Sequence, residues 1–95
     1  MDYVVRPLPG VTAQLARAER SVQDKFQRIA SVLAMNPLPN PQFPVITEDW
    51  AEDGSKLYTY SDDDFPYAIQ YVVFAPDEDT YGSVSIIDLV DLRNR

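Results

Sequence analysis

The clearest pattern along the chain is an apolar stripe with helical spacing between residues 11 and 35. Its positions follow one another at steps of three or four residues: Val11, Leu15, Ala18, Val22, Phe26, Ile29 and Leu33. This spacing gives a helix one apolar face. Asn36-Pro37 ends the pattern, because proline disfavours helical backbone in the residue before it. Ser21 and Asp24 have the spacing of a capping box, so the segment is either one helix or two helices that divide there.

Shorter apolar and β-branched runs on either side of the helical segment predict strands. They are DYVVRPL at residues 2–8, KLYTY at 56–60, YAIQYVVFA at 67–75 and SVSIIDLVDL at 83–92. Pro7 and Pro9 favour a sheet edge for the first run. The turns between the last three runs are short, which favours an antiparallel meander.

Two further segments are expected to be loops. Residues 45–55, VITEDWAEDGS, predict an acidic loop around a buried Trp50, with a turn at Asp53-Gly54. The proline-rich residues 36–44 resemble SH3-binding sequences, but a stiff connector is the preferred interpretation. Together the patterns predict a single α+β domain over residues 1–95, with an N-terminal strand, a helical hairpin and a three-stranded antiparallel meander in one small curved sheet.

Two acidic triplets, Asp62–Asp64 and Asp77–Asp79, fall in the predicted turns. Aspartate favours turns because its side chain accepts hydrogen bonds from nearby backbone amides. Neither triplet has the ligand spacing of a calcium loop. We therefore expect solvated turns and predict no metal site and no cofactor.

Asp88 and Asp91 interrupt the last apolar run and should face opposite sides of the sheet, because side chains alternate along a strand. Asp91 would share a face with Arg93, and the two could form an ion pair. Asp88 would share a face with Ile86 and Val90, and burial there would raise its pKa. A position open to water, or beside an arginine, is the preferred interpretation for Asp88.

Composition and charge narrow the possible functions. The chain has no cysteine and no histidine, which excludes disulfides, a thiolate nucleophile and the commonest general base. Residues 1–35 carry a net charge of +2 and residues 36–95 a net charge of −9, so the sheet-forming half is a poor surface for nucleic acid and suits a basic protein partner. Five aromatic residues are expected in the core: Tyr58, Tyr60, Tyr67, Phe74 and Trp50. Without a signal peptide or a long apolar run, a cytoplasmic protein with no membrane contact is expected.

The order of the elements resembles the RelE/ParE toxin superfamily of type II toxin–antitoxin modules, over nearly the whole chain. The likeness is carried by YVVRP, LARAERSVQDKFQRIASVLAMNP, LYTYSDDDFPYAIQYVV and VSIIDLVDLR. The resemblance implies an antitoxin partner that wraps the helix pair and the sheet.

Several residues depart from the ribonucleolytic members, which use a basic cluster with a histidine or tyrosine. Ala68 stands where the core strand carries arginine, and Leu92 stands where a histidine often precedes the terminal arginine. If the chain is a nuclease, the resemblance implies catalysis by Arg93, Lys56 and Tyr71.

Three hypotheses follow, and whether the protein is an enzyme stays open. The favoured one is a toxin-family protein that acts by protein binding, as gyrase-poisoning members do. The others are a ribosome-dependent mRNA endoribonuclease and a non-toxic protein-interaction module on the same fold. The residues predicted to bind a partner are charged and lie on the helices and the last strand: Arg17, Arg20, Lys25, Arg28, Asp88 and Asp91.

Overall fold

The structure, a computed structural model, describes residues 3–39 and 46–92, which form five strands and two helices. The elements are β1 (Tyr3–Pro7), α1 (Pro9–Ala16), α2 (Arg20–Met35), β2 (Ile46–Trp50), β3 (Lys56–Tyr60), β4 (Tyr67–Phe74) and β5 (Gly82–Asp91). The strands form one sheet in the order β1-β5-β4-β3-β2, in which β1 runs parallel to β5 and the other pairs are antiparallel. The predicted α+β class and the edge position of β1 are confirmed.

Strand β2 occupies the place of the predicted acidic loop. It pairs antiparallel with β3 from Ile46 opposite Tyr60 to Trp50 opposite Lys56, so the meander has four strands rather than three. The predicted turn is present, with Gly54 at a φ of 87°. Only Ile46 is buried in β2. A strand at the edge of a sheet can expose the side chains of both faces to water while its backbone pairs on one side. Strand β2 therefore shows no alternation of apolar and polar residues from which it could have been predicted.

The helical segment divides into two helices, but the break comes earlier than Ser21. Helix α1 ends at Ala16 and α2 begins at Arg20. No capping hydrogen bond forms from the side chain of the N-cap residue Glu19. Ser21 lies inside α2 and is not its N-cap residue, so the predicted capping box is wrong. The Asp24 carboxylate instead forms an ion pair with Arg20 at 3.6 Å.

The corner between the helices is closed by a glutamine from α2. The Gln23 Nε2 donates to the carbonyl oxygens of Leu15 at 2.9 Å and Ala18 at 3.2 Å. Carbonyl groups in the last turn of a helix lack the usual partner four residues further on. The Leu15 carbonyl, in the last turn of α1, accepts from Gln23 and also from the amide of Ala18 at 3.0 Å. Helix α2 ends at Met35, directly before Asn36-Pro37, as the sequence predicts.

The core lies between the helices and one face of the sheet, which we call the helix-facing face. Phe26, Ile29 and Leu33 from α2 pack in one buried cluster with side chains of four strands, among them Tyr58, Tyr71, Val84 and Ile86. Every one of these side chains is less than a tenth exposed. No helix in the described part of the chain is long and apolar enough to cross a membrane.

A β-bulge in β5 changes the position of Asp88. Tyr71 pairs with Ile86 and Gln70 with Asp88, so Ile87 is the extra residue. An extra residue shifts the alternation of side chains beyond it by one position. Asp88 is therefore exposed on the outer face of the sheet, while Ile86 is fully buried on the other face. The predicted common face of Asp88 and Ile86 is wrong.

Two aromatic side chains expected in the core lie on the surface instead. Trp50 is 66% exposed at the end of edge strand β2, and Phe74 is 58% exposed at the end of β4. Phe74 lies opposite Ser83 on the outer face. In contrast, Tyr58, Tyr60 and Tyr67 are buried, as expected.

Candidate partner-binding site

Tyr71, predicted as part of a nuclease site, is a core residue in this structure. Its side chain is fully buried, and its hydroxyl donates a 2.6 Å hydrogen bond to the carbonyl oxygen of Pro37. Its ring stacks on Tyr58 at 5.6 Å between centroids. Burial, together with Tyr58, raises the pKa of Tyr71 well above its ordinary value. In this position Tyr71 keeps its proton and exposes no atom to a substrate.

Lys56 lies near Tyr71 in the sheet but is held by other groups. It begins β3 two residues before Tyr58, which pairs with Tyr71. Its Nζ lies 3.6 Å from the Glu48 carboxylate and 5.0 Å from the centre of the Trp50 ring. A carboxylate and an aromatic face both stabilise an ammonium group, so the charge of Lys56 is largely satisfied within the protein.

Arg93, the third residue predicted for a nuclease site, lies outside the described residues. The described part of the site therefore consists of one buried phenol and one ammonium group paired with a carboxylate. That pair supplies neither an accessible proton donor nor an unpaired cation for a phosphate.

The four cations predicted to bind a partner are distributed along the helices. Arg17, Arg20 and Arg28 are exposed, and Lys25 is half-buried. Two of them pair with acids: Arg20 with Asp24 at 3.6 Å and Lys25 with Asp64 at 3.8 Å. Arg17 lines a small cavity together with Glu19. The charges of Arg20 and Lys25 are therefore partly satisfied within the protein before any partner binds.

The turn between β3 and β4 uses its acids to hold the backbone, as the sequence predicts. The Asp62 Oδ1 accepts a 2.8 Å hydrogen bond from the amide of Asp64, and its Oδ2 accepts a 2.7 Å bond from the hydroxyl of Tyr60. Burial and then this bond raise the pKa of Tyr60 to about 12.

The turn between β4 and β5 is built in the same way. The Asp77 Oδ1 accepts hydrogen bonds at 2.9 Å from the amides of Asp79 and Thr80 and from the Thr80 hydroxyl. These bonds hold the pKa of Asp77 below its ordinary value. In the described ranges, no three carboxylates come close enough to hold a metal ion.

Asp88 and Asp91 lie on opposite faces of β5. Asp91 is half-exposed and pairs in register with Tyr67, whose buried ring lies on the helix-facing face. Asp88 pairs with Gln70 on the outer face. The two carboxylates therefore cannot contact the same small group and would meet a partner on two different surfaces.

The surface that sequence reasoning missed lies at one end of the sheet. The turns at residues 51–55 and 75–81 both lie at this end, and Trp50, Phe74 and Tyr81 flank them with more than half of each side chain exposed. The sequence did contain one indication that these aromatic residues are exposed. Each of them lies at the end of a strand or directly before one, next to an acidic turn. Large apolar side chains mark interaction surfaces when they form a contiguous exposed patch, whereas single exposed ones are normal.

A groove runs between α2 and the edge strand β1 and opens at this same end. It holds about 500 Å³, and its lining includes Val5, Ala30, Ser31, Ala34 and Tyr81. A second hollow of about 530 Å³ adjoins it and shares Tyr3 and Tyr81 with it, and the acidic turn at residues 76–81 lines this second hollow.

Gly82 leaves room for the ring of Tyr3, which lines the groove. A Cβ atom on Gly82 would lie 2.6 Å from the ring of Tyr3, far inside van der Waals contact. Glycine therefore allows the Tyr3 ring to pack against the start of β5, where it lines both hollows.

Comparison with solved structures identifies the architecture. The chain superposes on a chain of the archaeal RelE–RelB complex from Pyrococcus horikoshii OT3 with a TM-score of 0.72, 18% sequence identity and complete coverage of both chains. It has a RelE-like fold. No family model and no curated protein matches the sequence. The RelE-like fold therefore rests on the arrangement of the elements, and not on shared catalytic side chains.

Proposed function

We propose that the protein is the toxin-family component of a type II toxin–antitoxin module and that it acts mainly by binding another protein in the cytoplasm. The proposal is supported by the RelE-like fold, since the superposed structure contains RelE bound to RelB. On this proposal, a small protein encoded next to this chain is its inhibitor.

The observation that favours binding over RNA cleavage is the position of Tyr71. A general acid or base must come within hydrogen-bonding distance of the group it serves. The Tyr71 hydroxyl is instead engaged with the Pro37 carbonyl oxygen inside the core. The net charge of −7 supports the same choice, because an anionic protein is repelled by RNA phosphates.

Controlled expression in bacteria tests this proposal. We expect induction of the chain alone to slow growth and co-expression of the adjacent reading frame to restore it. A suitable control is the chain with Leu33→Asp, which places a carboxylate at a fully buried position and should prevent folding. Normal growth under strong, soluble expression of the unmodified chain would contradict the toxin assignment and leave a non-toxic interaction module.

A further inference from the structure

Strand β2 is held to the sheet by little buried surface. It is the edge strand at one side of the described sheet and pairs only with β3. Ile46 is its buried side chain, and the other four side chains are exposed. Local opening takes least free energy where few apolar contacts are lost and where the backbone hydrogen bonds lie close to water. Strand β2 can therefore separate from β3 without unfolding of the whole molecule.

The segment that contains β2 and the turn after it carries an excess of negative charge. Residues 46–56 have a net charge of −3, from one ammonium group and four carboxylates: Lys56, Glu48, Asp49, Glu52 and Asp53. Glu48 and Asp49 are adjacent in the strand, so their side chains lie on opposite faces of the sheet. Repulsion between carboxylates therefore acts on both faces of β2.

A second acidic turn lies beside this segment. The turn at residues 51–55 ends where β3 begins, and the turn at residues 75–81 begins where the adjacent strand β4 ends. The second turn contains Asp77, Glu78 and Asp79 and no lysine or arginine. Charges in water interact over about 30 Å at 0.01 M salt but only about 3 Å at 1 M salt. The two turns therefore repel each other in dilute salt and are screened from each other in concentrated salt.

One cation opposes this repulsion. Lys56 is the first residue of β3 and pairs in register with Trp50 of β2. Its Nζ lies 3.6 Å from the Glu48 carboxylate and 5.0 Å from the centre of the Trp50 ring. Both contacts cross from β3 to β2, so Lys56 fastens the two strands together. Because the side chains of Lys56 and Glu48 are 38% and 53% exposed, water weakens the ion pair.

We propose that β2 is a strap whose closure on β3 depends on ionic strength. Lys56 fastens the strap, and the carboxylates of residues 48–53 release it when the salt is too dilute to screen them from one another. In the released state β3, β4, β5 and β1 stay paired, and the outer edge of β3 becomes accessible to water. The strap requires neither toxicity nor an antitoxin, so its test is independent of the proposed function.

Amide hydrogen exchange, followed residue by residue by NMR on the full chain, tests the strap. We expect the β2 amides that bond to β3 to exchange more slowly, by about tenfold or more, when potassium chloride is raised from about 0.01 M to about 1 M at one pH. Amides that join β4 to β5 should change less, because their exchange requires unfolding of the central strands. The proposal is overturned if β2 shows no salt dependence, or if β2 and β4 amides exchange at equal rates at every salt concentration.

Neutral variants show whether the carboxylates of this segment cause the salt dependence. Asp49→Asn with Glu52→Gln should slow the exchange of the β2 amides at about 0.01 M salt and make it nearly independent of salt. Asp63→Asn with Asp88→Asn makes the same change in net charge at two exposed positions outside the segment and should leave the salt dependence in place. Equal effects of the two pairs would show a response to total charge alone and would contradict the strap.

A single substitution tests the fastening residue. Lys56→Met removes the charge that reaches Glu48 and Trp50 but keeps a long apolar side chain, so the β2 amides should exchange faster by about tenfold or more at about 0.15 M salt. Lys25→Met is the matched control, because it removes the ion pair with Asp64 and the same charge at another place. Exchange in β2 should be unchanged in this control. If β2 responds alike to both substitutions, Lys56 does not fasten the strap and the proposal fails.

Discussion

Tyr71 shows how one side chain can separate two interpretations of the same sequence. Residues 67–75 predict a strand, and the sequence does not show that the hydroxyl of Tyr71 is buried. In the structure the pairing of β3 with β4 brings Tyr58 and Tyr71 together, and the hydroxyl of Tyr71 reaches Pro37. The hydroxyl therefore ties the segment after α2 to the sheet, which is a structural role.

Tyr60 supplies a prediction about alkaline pH. Its pKa in the folded protein is about 12, above the ordinary value of 10, because burial and the bond to Asp62 favour the neutral phenol. A raised folded-state pKa contributes stability that is fully present below pH 10 and is lost as the pH rises through 12. We expect urea unfolding to show this loss in the unmodified chain and a smaller loss in Tyr60→Phe. Tyr81→Phe, at an exposed position, is the control and should behave like the unmodified chain. An identical pH dependence in Tyr60→Phe would contradict this account.

The corner between α1 and α2 depends on Gln23. Gln23→Ala should lower the free energy of unfolding by about 1 to 2 kcal/mol, because the carbonyl groups of Leu15 in α1 and Ala18 in the corner lose their shared donor. Gln27→Ala, four residues further along the same helix at an exposed position, is the matched control and should change stability little. Both are measured by urea denaturation at neutral pH. Equal stability of the two variants would show that the corner is held in another way.

At the level of the elements, the sequence predicts those helices and strands that bury one face, because their buried residues recur at regular spacing. Helix α2 and strands β3, β4 and β5 were predicted to within a few residues, because each has a buried face whose spacing appears in the chain. Strand β2 was not predicted, since acids occupy both of its faces and only its backbone pairing defines it. The break between the helices was placed too late, because Gln23 makes its bonds across the corner, and sequence spacing does not show such contacts.

The bulge in β5 shows that the alternation of side chains between the two faces of a strand cannot be extrapolated past an irregularity in pairing. The pattern SIIDLVDL assigns Asp88 to the face of Ile86 if every residue alternates. The extra residue Ile87 reverses that assignment, and no residue type in the run indicates the bulge. Predictions of the face on which a residue lies are therefore reliable only up to the nearest irregularity in the pairing.

In the whole molecule, exposed aromatic side chains and acidic turns lie together at one end of the sheet. The exposed aromatic residues, both acidic turns at residues 51–55 and 75–81 and the open end of the α2–β1 groove share one end of the sheet. The sequence shows that residues 36–95 carry the negative charge but does not place the aromatic side chains beside it. The candidate groove could not be predicted from sequence, because α2 and β1 meet there through the parallel pairing of β1 with β5.

We propose that this chain, which has a RelE-like fold, binds protein and does not cut RNA. The most direct measurement is primer-extension mapping of mRNA cleavage in a purified translation system that contains ribosomes and the full chain. We predict no cleavage above the level of the reaction without the chain. Ribosome-dependent cleavage that disappears in Arg93→Ala or Lys56→Ala, while those variants remain folded, would contradict the account.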